Sequence, residues 1–126
     1  MKPKAGLRIL LVEDHEDTLV AMKSYLEGQG HVVHEARDLA TAREIAKKAR
    51  FQVLLSDIRL PDGDGWELLM ELRKTRTFQA IAMSGFGQKT DLDRSSEAGF
   101  IRHLTKPFKV DELDAALKKA RSLLEQ

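Results

Sequence analysis

Five short apolar runs divide the chain at nearly regular intervals, and a longer stretch with apolar residues at helical spacing follows each of them. The first run, Leu7–Val12, has no polar alternation after Arg8, which is typical of a strand buried on both faces. Strands that alternate with helices through short connections form a parallel sheet covered by helices on both faces. The sequence therefore predicts one α/β domain over residues 1–126, with a doubly wound five-stranded sheet.

The predicted elements alternate strictly along the chain. The strands are Leu7–Val12, His31–Ala36, Phe51–Ser56, Ala80–Met83 and Phe100–Leu104. The helices are Asp17–Leu26, a helix capped by Asp38, about Trp66–Arg73, Thr90–Ala98 and Val110–Leu124. The second strand is the more polar and is predicted to lie near an edge. The helix over Thr90–Ala98 has only Leu92 and Ala98 as apolar residues.

Composition excludes several classes of protein. Of the 126 residues 33% are charged, and no apolar run approaches the roughly 18 residues that span a bilayer, so we expect no membrane segment. We predict no signal peptide at the N-terminus. The absence of cysteine excludes disulfides and thiolate metal sites and favours a cytoplasmic location. The net charge of +1 is uninformative, but the basic residues read as solvated helix faces and no recognition helix is evident, so we expect no direct contact with nucleic acid.

Polar residues follow the apolar runs at the edge where such a sheet binds ligands. Glu13 and Asp14 follow the first strand, Asp57 the third, Ser84 the fourth and Lys106 the fifth. Each has an ordinary alternative role: Asp14 as a helix cap, Ser84 as a turn residue, Lys106 as a loop residue. Together, however, they form a set in which three carboxylates repel one another and one lysine supplies a single positive charge.

A divalent cation relieves this repulsion. Mg²⁺, or the similar Mn²⁺, prefers oxygen ligands and combines carboxylates with a phosphate. The four histidines do not accompany the acids at a zinc-like spacing. Carboxylates, a hydroxyl, an ammonium and a hard cation suit a site that holds a phosphoryl group, with one carboxylate as nucleophile.

Four motifs, "LLVEDHED", "VLLSDIRLPDGDGWELL", "AIAMSGFG" and "HLTKPF", occur in order from Leu7 to about Leu123. In residues and spacing they resemble the receiver domain of two-component response regulators, a flavodoxin-like (βα)5 fold. The resemblance implies that Asp57 accepts a phosphoryl group from the phosphohistidine of a histidine kinase or a histidine phosphotransfer protein. It implies an activity limited to self-catalysed phosphotransfer and dephosphorylation, in a monomer or a phosphorylation-linked dimer.

The resemblance also implies roles for the other site residues. Glu13, Asp14 and the main-chain carbonyl of Arg59 join Asp57 in binding Mg²⁺, Ser84 is the switch hydroxyl, and Lys106 pairs with the phosphoryl group. The Lys106–Pro107 peptide bond is often cis in this family. An aromatic switch residue usually precedes the lysine by three positions, where this chain has His103. We predict a switch role for His103, against the alternative of an exposed histidine without one.

Departures from the common pattern leave some properties open. Arg59 and Phe86 are long or bulky and are expected to flank the phosphoryl group, so the lifetime of the phosphorylated state is not transferable from the family. The sequences of the motifs "SGFG" and "HLTKPF" favour a receiver from a hybrid sensor kinase over a stand-alone receiver or one from a longer regulator. The downstream target is not identified.

Three other interpretations of these residues differ in the side chains that they require. A haloacid-dehalogenase-type phosphohydrolase needs a second Asp two residues after the nucleophile, where Arg59 stands. A pseudo-receiver that binds partners without phosphorylation does not need the complete acidic set. A calcium loop starting at Asp62 needs an acid or amide at Trp66 and Glu at Arg73, and that interpretation fails.

Overall fold

A computed structural model describes residues 6–85 and 89–126. The described residues form seven strands and five helices. In chain order these are β1 (Arg8–Val12), α1 (Glu16–Gly28), β2 (Val32–Ala36), α2 (Leu39–Lys48), β3 (Val53–Asp57), β4 (Arg59–Leu60), β5 (Gly63–Asp64), α3 (Gly65–Arg73), β6 (Gln79–Ser84), α4 (Lys89–Ala98), β7 (Arg102–Thr105) and α5 (Val110–Leu124).

Five of the strands form one parallel sheet in the order β2-β1-β3-β6-β7. This order confirms the predicted doubly wound α/β fold, and it places β2 at an edge as its polar sequence predicts. Strands β4 and β5 form a separate two-stranded antiparallel pair within "RLPDGD". The Pro, Asp and Gly residues of that segment are typical of a turn, and this antiparallel pair was not predicted.

Alternate residues of the central strands separate the core into two layers. Leu10 and Leu54 pack with residues of α2 and α3 on one face of the sheet, while Leu11 and Leu55 pack with residues of α1 and α5 on the other. All four side chains are fully buried. The alternation explains why these strands are apolar throughout: neither face of the sheet is open to water.

Observed boundaries differ from the predicted ones by at most two residues. Asp57 and Ser84 are the last residues of β3 and β6, and Asp38 caps α2 by accepting a 2.7 Å hydrogen bond from the amide of Thr41. Helix α4 differs more in its packing. Leu92 is 37% exposed, and the buried residue of the helix is Ser95. The apolar anchor expected at Leu92 is therefore absent from the core.

Candidate phosphoacceptor site

The carboxyl edge of the sheet brings together the residues predicted to share a site. Glu13 directly follows β1, Asp57 ends β3, Ser84 ends β6, and Lys106 directly follows β7. Carboxylate oxygens of Glu13, Asp14 and Asp57 lie within 4.8 Å of one another. The acidic cluster expected from the strand ends is thus assembled by two separate segments of the chain, the ends of β1 and β3.

Lys106 partly neutralises this cluster. Its Nζ donates to Oδ2 of Asp57 at 2.8 Å and contacts Oε1 of Glu13. The other Glu13 oxygen accepts a 3.1 Å hydrogen bond from the amide of His15. Glu13 is fully buried and Asp57 is 7% exposed, so these interactions operate largely away from solvent. Three carboxylates and one ammonium leave an excess of negative charge.

Burial and pairing shift two pKa values in the cluster. Burial is the largest effect on Glu13 and raises the pKa of its carboxyl, although the hydrogen bonds from Lys106 and the His15 amide oppose it. Burial lowers the pKa of Lys106, but hydrogen bonds to Asp57 and Glu13 outweigh burial, and the net shift is upward. The lysine is therefore held in its charged form between the two carboxylates.

The turn after β3 is built so that Asp57 ends the strand at the rim. A Cβ at Gly65 would lie 2.6 Å from the main-chain oxygen of Asp57, so the start of α3 approaches the end of β3 as closely as only glycine allows. Asp64 caps α3 through the amide of Glu67, at 2.8 Å. Asp62 accepts from the amide of Leu39 at 2.8 Å, and this bond to the start of α2 lowers the pKa of Asp62. Neither carboxylate belongs to the acidic cluster.

The donor set fits a hard divalent cation. Glu13, Asp14 and Asp57 offer carboxylate oxygens close enough to share one ion, and Asp14 is exposed at the rim. Oxygen ligands of this kind are those of Mg²⁺ and Mn²⁺. The ammonium of Lys106 forms ion pairs with two of the three carboxylates, those of Glu13 and Asp57. A cation would therefore compete with this ammonium for the same oxygens.

The hydroxyl of Ser84 is hydrogen-bonded to the imidazole ring of His103. The Ser84 Oγ lies 2.7 Å from Nε2 of the half-buried imidazole, and the Ser95 Oγ lies 2.8 Å from Nδ1. Burial lowers the pKa of His103, with the charge of Asp91 opposing the shift. The two residues to which the resemblance gives a switch role are thus in contact, whereas the part played by Ser95 had no recognisable signal in the sequence.

Two further expectations concern the neighbours of Asp57. The Arg59 side chain reaches along the surface, with a nitrogen 3.9 Å from Oδ1 of Asp91 and its guanidinium carbon 5.7 Å from the centre of the Trp66 ring. The main-chain amide of Arg59 donates a long hydrogen bond of 3.3 Å to Oδ1 of Asp57. Phe86 lies outside the described residues. The Lys106–Pro107 peptide bond is cis, in agreement with the resemblance.

Fold and site together define a class of protein: a doubly wound α/β domain with an acidic cluster and a paired lysine at the carboxyl edge of its sheet. The family model of the response regulator receiver domain matches residues 9–118, and the chain belongs to this family. It acts as a phosphoacceptor in two-component signalling, and receiver domains are signalling domains that bind Mg²⁺ in an acidic pocket. No helix in the described part of the chain is long and apolar enough to cross a membrane.

Individual relatives agree with this assignment. The chain is 33% identical over 112 residues to the KDP operon transcriptional regulatory protein KdpE of Escherichia coli (strain K12). This alignment covers 89% of this chain and 50% of KdpE. The chain is 28% identical over 113 residues to sporulation initiation phosphotransferase F of Bacillus subtilis (strain 168), covering 89% and 91%. A CheY-like receiver domain structure from Methanospirillum hungatei JF-1 superimposes with a TM-score of 0.84 at 29% identity, covering 91% and 93%.

Proposed function

We propose that Asp57 is the phosphoacceptor and that its donor is the phosphohistidine of a histidine kinase or a histidine phosphotransfer protein. In the transfer, an Asp57 oxygen forms a bond to phosphorus while the bond from phosphorus to the histidine nitrogen breaks, and the leaving imidazole takes up a proton. The observation that carries the proposal is the Asp57 carboxylate at the end of β3, with Lys106 at 2.8 Å and two further carboxylates beside it.

Each neighbouring residue has a distinct part in this proposal. Glu13, Asp14, Asp57 and the Arg59 main-chain carbonyl would hold Mg²⁺ or Mn²⁺, which when bound supplies positive charge for the phosphoryl oxygens. Lys106 would exchange its bond to Asp57 for one to the phosphoryl group. Ser84 would donate its hydroxyl proton to a phosphoryl oxygen, and His103 would follow Ser84 as the switch.

The identity of the partners follows from the same proposal. The domain receives its phosphoryl group from a histidine protein and changes conformation for a downstream target, without contacting nucleic acid itself. It works as a monomer or a phosphorylation-linked dimer. The match spans half the length of KdpE, so the transcriptional regulatory activity of that relative is not carried over to this chain. The cysteine-free sequence and the two-component role support a cytoplasmic location.

Intact-mass measurement with acetyl phosphate tests the proposal. The wild type should gain one phosphoryl group in Mg²⁺ and none in EDTA, because the acidic rim repels an incoming dianion. Asp57→Asn should gain none, whereas Asp93→Asn, which changes an exposed carboxylate of α4, should behave as the wild type. Many turnovers on a phosphomonoester such as p-nitrophenyl phosphate, measured in a separate assay, would instead indicate the phosphohydrolase alternative, and full modification of Asp57→Asn would refute the assignment.

A further inference from the structure

A chain of hydrogen bonds connects the Ser84 hydroxyl to the interior of the α3–α4 contact. The imidazole of His103 is hydrogen-bonded to Ser84 through Nε2 and to Ser95 through Nδ1. The indole nitrogen of Trp66 in turn donates to the Ser95 Oγ at 2.9 Å. Ser84, Ser95 and Trp66 are all at most 2% exposed. Among residues 89–98 of α4, Ser95 is the buried one, so the most enclosed contact of this helix is polar.

The chemistry of these groups makes the bonds interdependent. An indole N–H only donates, so the Ser95 oxygen accepts from Trp66. A neutral imidazole has one N–H and one lone pair, so its two nitrogens cannot play the same role. If Ser95 donates to Nδ1, then Nε2 donates to Ser84. If Nδ1 donates to Ser95, then Nε2 accepts from Ser84. The state of one serine hydroxyl therefore fixes that of the other.

Burial makes this coupling strict. The hydroxyls of Ser84 and Ser95 are buried, and a buried hydroxyl that loses its partner is costly, since no water replaces the missing bond. Ser95 lies on a helix and Trp66 on the neighbouring α3, so the far end of the chain of bonds is fixed by two backbone elements. The near end, at Ser84, is the one that a phosphoryl group would displace.

We propose that Ser95 is a positioning residue for phosphorylation: by holding Nδ1 of His103 it holds Nε2 against Ser84, and it couples that hydroxyl to Trp66. This inference rests on the proposed function, because it takes Asp57 as the acceptor and Ser84 as the switch hydroxyl. When Ser84 turns to the phosphoryl group, Nε2 loses its partner, the ring readjusts, and the bond between Ser95 and Trp66 changes with it.

The test compares wild type, Ser95→Ala and Ser95→Thr, with Ser96→Ala as a matched control that removes an exposed hydroxyl from the next position. Nitrogen-15 NMR reports the tautomer of His103 and the indole N–H of Trp66, the single tryptophan of the chain. Intact mass after treatment with acetyl phosphate and Mg²⁺ reports phosphorylation separately.

The wild type should show one His103 tautomer and a change of the Trp66 indole signal on phosphorylation. Ser95→Ala should show mixed tautomers and lose most of that change while Asp57 is still phosphorylated. Its phosphorylation should be about twofold to tenfold faster, the range that corresponds to one hydrogen bond holding Ser84 back. Ser95→Thr and Ser96→Ala should resemble the wild type.

Different outcomes separate the two proposals. If the wild type is phosphorylated but Ser95→Ala keeps its tautomer, its rate and its Trp66 response, the positioning role is wrong and the proposed function stands. If the wild type is not phosphorylated, the proposed function is wrong and the inference falls with it. Should Ser95→Ala not fold, a wild-type Trp66 indole signal that is unchanged by phosphorylation would overturn the coupling.

Discussion

The ammonium of Lys106 and a divalent cation would draw on the same oxygens at the phosphoacceptor site. Lys106 bridges Glu13 and Asp57, both of which are nearly inaccessible to water, while Asp14 is exposed at the rim. Asp14 therefore keeps a carboxylate available to an arriving ion. Glu13, in contrast, already has partners for both oxygens in the Lys106 ammonium and the His15 amide.

We predict that Asp14→Ala weakens Mg²⁺ binding by roughly tenfold or more, and that Glu13→Gln weakens it less, because Glu13 must first give up its hydrogen bonds. Isothermal titration with Mg²⁺ measures both affinities. Asp17→Ala removes an exposed carboxylate three residues further on and serves as the control. An affinity of Asp14→Ala equal to that of the wild type would remove Asp14 from the metal site.

His31 gives the folding stability a predictable pH dependence. Its Nδ1 accepts a 2.9 Å hydrogen bond from the Leu7 amide, and burial, assisted by Arg121, lowers the pKa of the ring below its usual 6.5. The unfolded chain then binds a proton more readily than the folded one, so stability is complete above about pH 6.5 and falls as the pH drops below it. The lowered pKa of His103 has the same sign.

We therefore predict that the wild type loses stability between pH 7.5 and pH 5.5, and that His31→Gln reduces the slope of this loss without abolishing it. Glutamine keeps an acceptor for the Leu7 amide but does not titrate. Urea denaturation at a series of pH values measures the slope. A slope for His31→Gln equal to that of the wild type would show that His31 does not contribute.

The sequence predicts which residue types collect at the site better than it predicts their partners. Asp57, Glu13 and Lys106 were identifiable because each ends or directly follows an apolar run. Asp62 and Asp64 lie in the same acidic segment, yet they cap helices, and spacing alone does not distinguish a cap from a ligand. Ser95 and Trp66 are 29 residues apart, and their contact depends on how α3 and α4 pack.

At the scale of elements, the junction between β3 and α3 determines where the acceptor carboxylate lies. A side chain at Gly65 would meet the Asp57 carbonyl oxygen at 2.6 Å, Ser56 Oγ at 3.2 Å and Ile58 Cα at 3.3 Å. Two of these three atoms are main chain, which cannot yield as a flexible side chain does. The close approach therefore constrains both the turn and the end of the strand.

We predict that Gly65→Ala lowers the free energy of unfolding by about 1–3 kcal/mol, the usual cost of overpacking. Gly28→Ala is the control, because a Cβ at the end of α1 meets nothing within 4 Å. That change should be neutral or stabilising by up to about 1 kcal/mol. Urea unfolding of both variants decides the matter, and equal stabilities would show that the junction tolerates a side chain.

Helix α4 shows how far apolar spacing alone can mislead about packing. Its boundaries followed from the sequence to within one residue, but Leu92, the expected anchor, is 37% exposed. The helix is attached instead through Ser95 and the partly buried Ala98. Hydrophobic periodicity identifies a face only where apolar residues are plentiful, and here a buried hydroxyl takes their place.

At the scale of the whole molecule, the parallel sheet was predictable because its strands are apolar on both faces and its connections are short. The strand order β2-β1-β3-β6-β7 then brings the ends of β1, β3 and β6 together, and with them the acidic cluster and Ser84. The short β4–β5 pair was not predictable, because two-residue strands leave no periodic pattern.

Borohydride reduction of the phosphorylated chain, followed by peptide mapping, directly identifies the residue that carries the phosphoryl group. Borohydride converts an aspartyl phosphate to homoserine, which marks the acceptor by its mass. Homoserine is expected at position 57 after treatment with a phosphohistidine donor and Mg²⁺, and unmodified aspartate there when the donor is omitted. Homoserine at Asp14 instead, or a phosphorylated chain with Asp57 unmodified, would contradict the assignment of Asp57 as the phosphoacceptor.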